Sequence, residues 1–194
     1  MKGSSSEEQI ELFALVAYIP GPLAGFVDAV RDELSPGCRL RAHITILPPR
    51  ELACGIEIAS REIQKLIGEA RSFRVSAGEV RIFPISEVVH LALEDGLEPL
   101  RELHAQLNHD ACKAPELWRF EPHITLAQDL EPAAVRPAFE LAVRRWREYS
   151  GPRSFTLDNL TFVRRALESR ALENASQDCW VDLCTWELQS PVLA

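Results

Sequence analysis

The chain has no apolar run near the roughly 20 residues a membrane-crossing helix needs. Its start, Met1-Lys-Gly-Ser-Ser-Ser-Glu-Glu, lacks the apolar centre of a signal peptide, so residues 1–9 are expected to form a short disordered tail. Cysteine is sparse: Cys38, Cys54, Cys112, Cys179 and Cys184 are odd in number, scattered, and show no paired metal spacing. They read as reduced thiols in a cytoplasmic protein, and Asn174-Ala-Ser176, a glycosylation sequon by pattern, reads as chance. Positive charge is also scarce, with 21 Lys and Arg against 29 Asp and Glu and a net charge of −8. That balance argues against an extended nucleic-acid groove, which needs many phosphate contacts, while leaving room for a local pocket that holds one phosphate. Metal ligands are not arranged for a site either. His104 and His109 are five apart rather than the four of a helical pair, so no metal or cofactor is expected.

What remains is ordinary globular material: 194 residues, 46% hydrophobic and 26% charged, suited to one domain over residues 10–190. Glu11–Ile19 reads as a buried strand closed by Pro20-Gly21-Pro22. Leu23, Phe26, Val27, Val30 and Leu34 recur at helical spacing and stop at Ser35-Pro36-Gly37. A strand ending at Pro48-Pro49 follows, then a helix over Glu57–Arg71. Strands are expected over Phe73–Phe83, with a break near Ala77-Gly78, and over Glu87–Leu93. Leu97, Leu100, Leu103 and Leu107 mark another helix, and Pro132 opens one carrying Val135, Phe139, Ala142, Val143 and Trp146. Phe155–Val163 and Cys179–Leu188 read as the last strands, with Arg164–Gln177 between them as a long loop or short helix. The order helix, strand, helix, strand, strand therefore occurs twice, over about 22–93 and 97–188, which suggests a duplicated unit around an approximate two-fold axis.

The two copies share a tripeptide. His43-Ile44-Thr45-Ile46 is echoed by His123-Ile124-Thr125-Leu126, although the chain has only five His and five Thr. In a strand, side chains alternate faces, so each copy buries its aliphatic pair and offers an imidazole and a hydroxyl about 7 Å apart on the other face. Two imidazoles suit acid and base work near neutral pH, and two hydroxyls suit hydrogen bonding to phosphate oxygens. A lone His-x-Thr is weak, since a single histidine in a strand is usually structural; repetition on matched strands is specific.

With both motifs, the Phe120-Glu-Pro-His123 lead-in and the strand Val88-Val89-His90-Leu91-Ala92-Leu93, the chain resembles the 2H phosphoesterase superfamily. Within it, the similarity is to the 2′-5′ RNA ligase/cyclic phosphodiesterase (LigT-like) branch. That resemblance implies an α+β, bilobal duplicated fold, with two antiparallel-rich sheets flanked by helices around a central cleft. It implies a metal-independent phosphoesterase acting on 2′,3′-cyclic phosphate or 2′,5′-linked nucleotide or RNA ends. His43 and His123 would be the catalytic acid and base, and Thr45 and Thr125 would bind phosphate. One departure is that many relatives carry Arg or Lys shortly after the second motif, where this chain has Gln128-Asp129.

Around the motifs, Arg41, Arg50, Arg119, Phe83 and Phe120 are candidate substrate contacts, with Arg39 and Trp118 nearby; a solvated or core role competes for each. His90, His104 and His109 read as structural or surface residues. The expected partner is a small nucleotide or RNA terminus, with no membrane. Two alternatives stay open: a non-catalytic nucleotide- or phosphate-binding module, and a 2′,5′-ligase running the reverse reaction. Retention of both His and both Thr weighs against the first, because binding alone needs no paired acid and base.

Overall fold

A computed structural model describes residues 11–36, 40–166 and 179–190. The expected N-terminal tail, the sequon at Asn174 and most of the Arg164–Gln177 segment lie outside the described residues. In chain order the elements are β1 (Phe13–Tyr18), α1 (Gly21–Leu34), β2 (His43–Arg50), α2 (Ile56–Ile67), β3 (Phe73–Ile82) and β4 (Val89–Asp95). Then come α3 (Leu97–Leu107), a 3₁₀ turn (Asp110–Cys112), β5 (His123–Ala127), α4 (Pro132–Glu148), β6 (Ser154–Leu157), β7 (Asn159–Ala166) and β8 (Cys179–Glu187).

The strands form one sheet in the order β6-β3-β4-β5-β2-β1-β7-β8, and neighbouring strands pair antiparallel. The expected two-sheet division is therefore corrected to a continuous sheet. The reason lies at its centre, where β2 and β5 join through the pair Ile44↔Ile124. The sheet is curled. β6 and β7 occupy its first and seventh places, yet only Asp158 separates them in sequence, so Leu157 and Asn159 lie within about 7 Å. Backbone bonds from Ser72 N to Gln189 O (2.8 Å) and from Gln189 N to Ala70 O (2.8 Å) tie the two ends together at that corner.

Four sequence expectations change here. Phe155–Val163 is two strands rather than one, broken at Asp158 and paired to opposite parts of the sheet. β2 runs through Pro48-Pro49 to Arg50, because the pairs Leu15↔Leu47 and Phe13↔Arg50 enclose a bulge. A bulge is a place where a residue without N–H costs no ladder bond. β3 is not broken near Ala77-Gly78 but carries register irregularities there. α2 also ends at Ile67, short of Arg71, with Gly68 as its cap, and the freed residues 70–72 bind the Gln189 backbone.

The helices cover one face of the sheet. Ile44, Ile46, Ile124 and Leu126 are all within 1% of full burial and pack with Leu23 and Val27 of α1 and Leu100, Leu103 and Leu107 of α3. α1 lies against β5 and α3 against β2, so the two central strands are clamped from one side. Removing about 25 cal/mol per Å² of apolar surface from water makes that face the main source of stability. The opposite face is left for the polar half of each motif. Among the described residues, no helix is long and apolar enough to cross a membrane.

Candidate active site

The two central strands repeat each other in burial as well as in sequence. His43 and Thr45 are half-buried while Ile44 and Ile46 are buried, and His123, Thr125, Ile124 and Leu126 follow the same alternation. The pair Ile44↔Ile124 in an antiparallel register sets His43 across from Thr125 and Thr45 across from His123. Opposite Cβ atoms in such a pair lie about 5 Å apart, and same-face neighbours along a strand about 7 Å apart. The two imidazoles and two hydroxyls thus occupy the corners of one small patch, with like groups on the diagonals.

Each imidazole is oriented by the same local device. His43 Nδ1 lies 2.6 Å from the carbonyl oxygen of Arg41, and His123 Nδ1 lies 2.8 Å from that of Glu121. A carbonyl can only accept, so Nδ1 carries the proton in each neutral ring and Nε2 keeps its lone pair. Burial, and then the Arg31 guanidinium, push His43 down to about 4. His123 is lowered too, chiefly by burial, against the raising influence of its bond to the Glu121 carbonyl and of the Glu121 carboxylate. Both rings are therefore poised to be neutral at neutral pH until an anion enters beside them.

A third histidine shares this face. His90 of β4 sits across from Thr125, and its Nδ1 faces the carbonyl of Val88 at 3.2 Å. Its ring stacks on Phe83 at 3.9 Å between centroids and meets His123 edge-on at 5.2 Å, while Phe83 meets His123 edge-on at 4.8 Å. Burial pushes His90 down to about 4. On the other side, Tyr18 of β1 lies across from His43. Its hydroxyl donates to Asp182 at 2.5 Å, and Arg41 lies over its ring at 3.6 Å while pairing with Asp182 at 3.1 Å. Burial and Asp182 raise the Tyr18 hydroxyl to about 12, which keeps it a donor.

Of the candidate contacts, the structure brings Phe83 and Arg41 to this patch, Arg41 at its exposed rim. Arg50 is elsewhere. It is buried, and its guanidinium donates to the carbonyls of Pro48 and Cys112 and to Asn108 Oδ1, fastening β2 to the turn after α3. Phe120 lies flat on His104 of α3 at 3.8 Å, and His104 is itself held by the Ile46 carbonyl at 2.7 Å. Arg119 is exposed on the loop before β5, and Arg39 lies outside the described residues. Sequence reasoning did not place His90, Tyr18, Asp182 or Arg31 beside the two motifs. For His90 the signal was available, since strand alternation in Val89-His90-Leu91 puts it on the face opposite two buried aliphatics. Among the described residues, no group of three or more His, Cys, Asp or Glu could hold a metal ion.

A sequence profile of the 2′-5′ RNA ligase superfamily matches residues 19–168, a span that contains both motifs, His90 and most of the sheet. The chain belongs to that superfamily. It is 31% identical over 71 residues to a protein of Oceanobacillus iheyensis provisionally named a phosphoesterase; the match covers 36% of this chain and 41% of that one. In three dimensions it is similar to a crystal structure described as a phosphoesterase, with a TM-score of 0.64 and 17% identity, covering 93% of this chain and 99% of that one. It is also similar to Escherichia coli LigT in complex with NADP+, with a TM-score of 0.61, 17% identity and the same coverage; LigT has been crystallised with 3′-AMP as well. At these low identities the structural likeness speaks for the fold alone.

Proposed function

We propose that this member of the superfamily is a metal-independent phosphoesterase acting on 2′,3′-cyclic phosphate or 2′,5′-linked nucleotide or RNA ends. The observation that carries the reading is the diagonal placement of two imidazoles and two hydroxyls on one sheet face, each imidazole held with Nε2 free by a carbonyl two residues back. One imidazole removes the proton of the attacking water through Nε2. The other, as imidazolium, gives a proton from Nε2 to the leaving ribose oxygen. In a ring-opening step the water oxygen bonds phosphorus, one P–O bond of the cycle breaks, and the two proton transfers balance. Thr45 and Thr125 donate to the non-bridging oxygens as charge builds on them. Run backwards on a free ribose hydroxyl, the same groups would join ends instead of cutting them.

His43 carries the larger downward push, from burial and from Arg31, whereas Glu121 helps His123 keep a proton. That asymmetry favours His43 as base and His123 as acid for hydrolysis. A turnover screen decides the substrate class: 2′,3′-cyclic nucleotides, ADP-ribose cyclic phosphate and 2′,5′-linked oligonucleotides, each with and without chelator. Hydrolysis of one of these, unaffected by chelation, is the expected result. Turnover of none, or loss on chelation restored by one specific metal, contradicts the proposal.

A further inference from the structure

The two halves of the patch belong to strands that share only the pair Ile44↔Ile124, so the sheet ladder by itself does little to fix their separation. A charged side chain from outside the sheet bridges them. Arg31, on α1, is 4% exposed, and its Nε donates to the Thr125 carbonyl at 2.8 Å. Its Nη1 donates to the carbonyls of Leu40 and Arg41 at 3.1 Å each. The Arg41 carbonyl is the same one that fixes the His43 ring, so one guanidinium grips the backbone beneath Thr125 and the support beneath His43. We propose that Arg31 is a positioning residue, which sets the distance between the two His-Thr pairs and holds the His43 ring in register with Thr125.

The planar fork is what the task requires. A guanidinium presents rigid donors in several directions at once, and a buried one is stable only when carbonyls or carboxylates surround it. Lysine would keep the charge but could not span both strands with fixed geometry. The charge matters separately, because Arg31 lies close enough to lower both His43 and His123. Other charged and titratable groups bear on the same rings. Glu121 and His90 face His123, Arg81 bears on His90, and Asp182 and Arg41 flank Tyr18 across from His43. On the helix side, α1 is braced against α4 by the Glu33–Arg145 ion pair, so Arg31 projects from a fixed base.

This inference rests on the phosphoesterase reading for its kinetic part, so the test has a second readout free of turnover. Arg31→Lys and Arg31→Gln are compared with wild type by steady-state kinetics on the substrate found in the screen, and by NMR titration of the His43 and His123 ring nitrogens. Arg31→Lys should lower kcat about tenfold or more with KM within about threefold, leaving both imidazole titrations near their wild-type pH. Arg31→Gln should lower kcat similarly and move both titrations upward, since removing a nearby positive charge eases protonation. Should Arg31→Gln fail to fold, Arg31→Lys carries the test alone. A folded Arg31→Lys with wild-type kcat, or a loss explained entirely by the unfolded fraction, overturns the positioning role. If wild-type protein turns over none of the substrates while Arg31→Gln still shifts both imidazoles, the phosphoesterase reading falls and the coupling of Arg31 to the patch stands.

Discussion

If His43 acts as base and His123 as acid, the productive free enzyme has the first neutral and the second protonated. His43 titrates near 4, and His123 titrates below the ordinary histidine value of about 6.5. That microstate is most populated between the two values, so kcat/KM should peak on the acid side of pH 6.5. Above the titration of His123, each further pH unit removes about tenfold of the protonated acid. Even with His123 at about 6.5, kcat/KM should be at least about tenfold higher at pH 5.5 than at 7.5, and more if burial lowers it further. A 2′,3′-cyclic phosphodiester keeps a constant charge across this range, so the profile reports the protein. The profile of kcat should lie at higher pH, because a bound phosphate anion stabilises both imidazolium forms. Initial rates with a 2′,3′-cyclic nucleotide from pH 4.5 to 8.5, with folding checked by circular dichroism, measure both curves. A kcat/KM optimum at or above pH 7 would refute the reasoning.

Three further outcomes follow from individual side chains. Thr45→Val and Thr125→Val keep shape and strand preference but remove the donor, so each should lower kcat by about 10², or about 3 kcal/mol, with KM little changed, and Thr→Ser should restore much of it; unchanged kcat in folded Val variants leaves the hydroxyls no role. His90 is 4% exposed and is lowered from 6.5 to about 4, so its neutral form contributes stability present above pH 6.5 and lost as pH falls toward 4, about 3 kcal/mol in all. His90→Phe should therefore lose less stability than wild type between pH 7 and 4 in urea titrations, and parallel losses would show that His90 titrates normally. Arg50→Met strips donors from Asn108 and from the Pro48 and Cys112 carbonyls, so it should destabilise by about 3 kcal/mol while leaving kcat per folded molecule within about twofold; a fall in kcat at unchanged stability would return Arg50 to the substrate site.

Much of the central patch was legible because it depends on local alternation: a strand with His and Thr at i and i+2 must put them on one face, wherever the strand ends up. The helices were legible from their apolar spacing, and the signals at Ser35-Pro36 and Pro132 fell at real ends. Strand partners were not. The expected order placed the hairpin of β3 and β4 with the first motif, but β4 pairs with β5 of the second, and β1 supplies the neighbour of β2. Within Phe155–Val163 the Asp158-Asn159 pair is a local break signal, but nothing local says that the two halves pair with opposite parts of the sheet, which the corner where the curled sheet meets itself decides. Arg31 was illegible for a similar reason. On a helix wheel it resembles any solvated arginine, and only the approach of β5 and the start of β2 shows that three carbonyls enclose it.

The most direct test of the paired-imidazole chemistry is steady-state turnover of the best cyclic phosphate or 2′,5′-linked substrate by His43→Ala, His123→Ala and the double variant. Acid and base acting in one step predict that each single change lowers kcat by about 10² or more, and that the double is not much worse than the poorer single. A folded single variant that keeps near-normal turnover would contradict it.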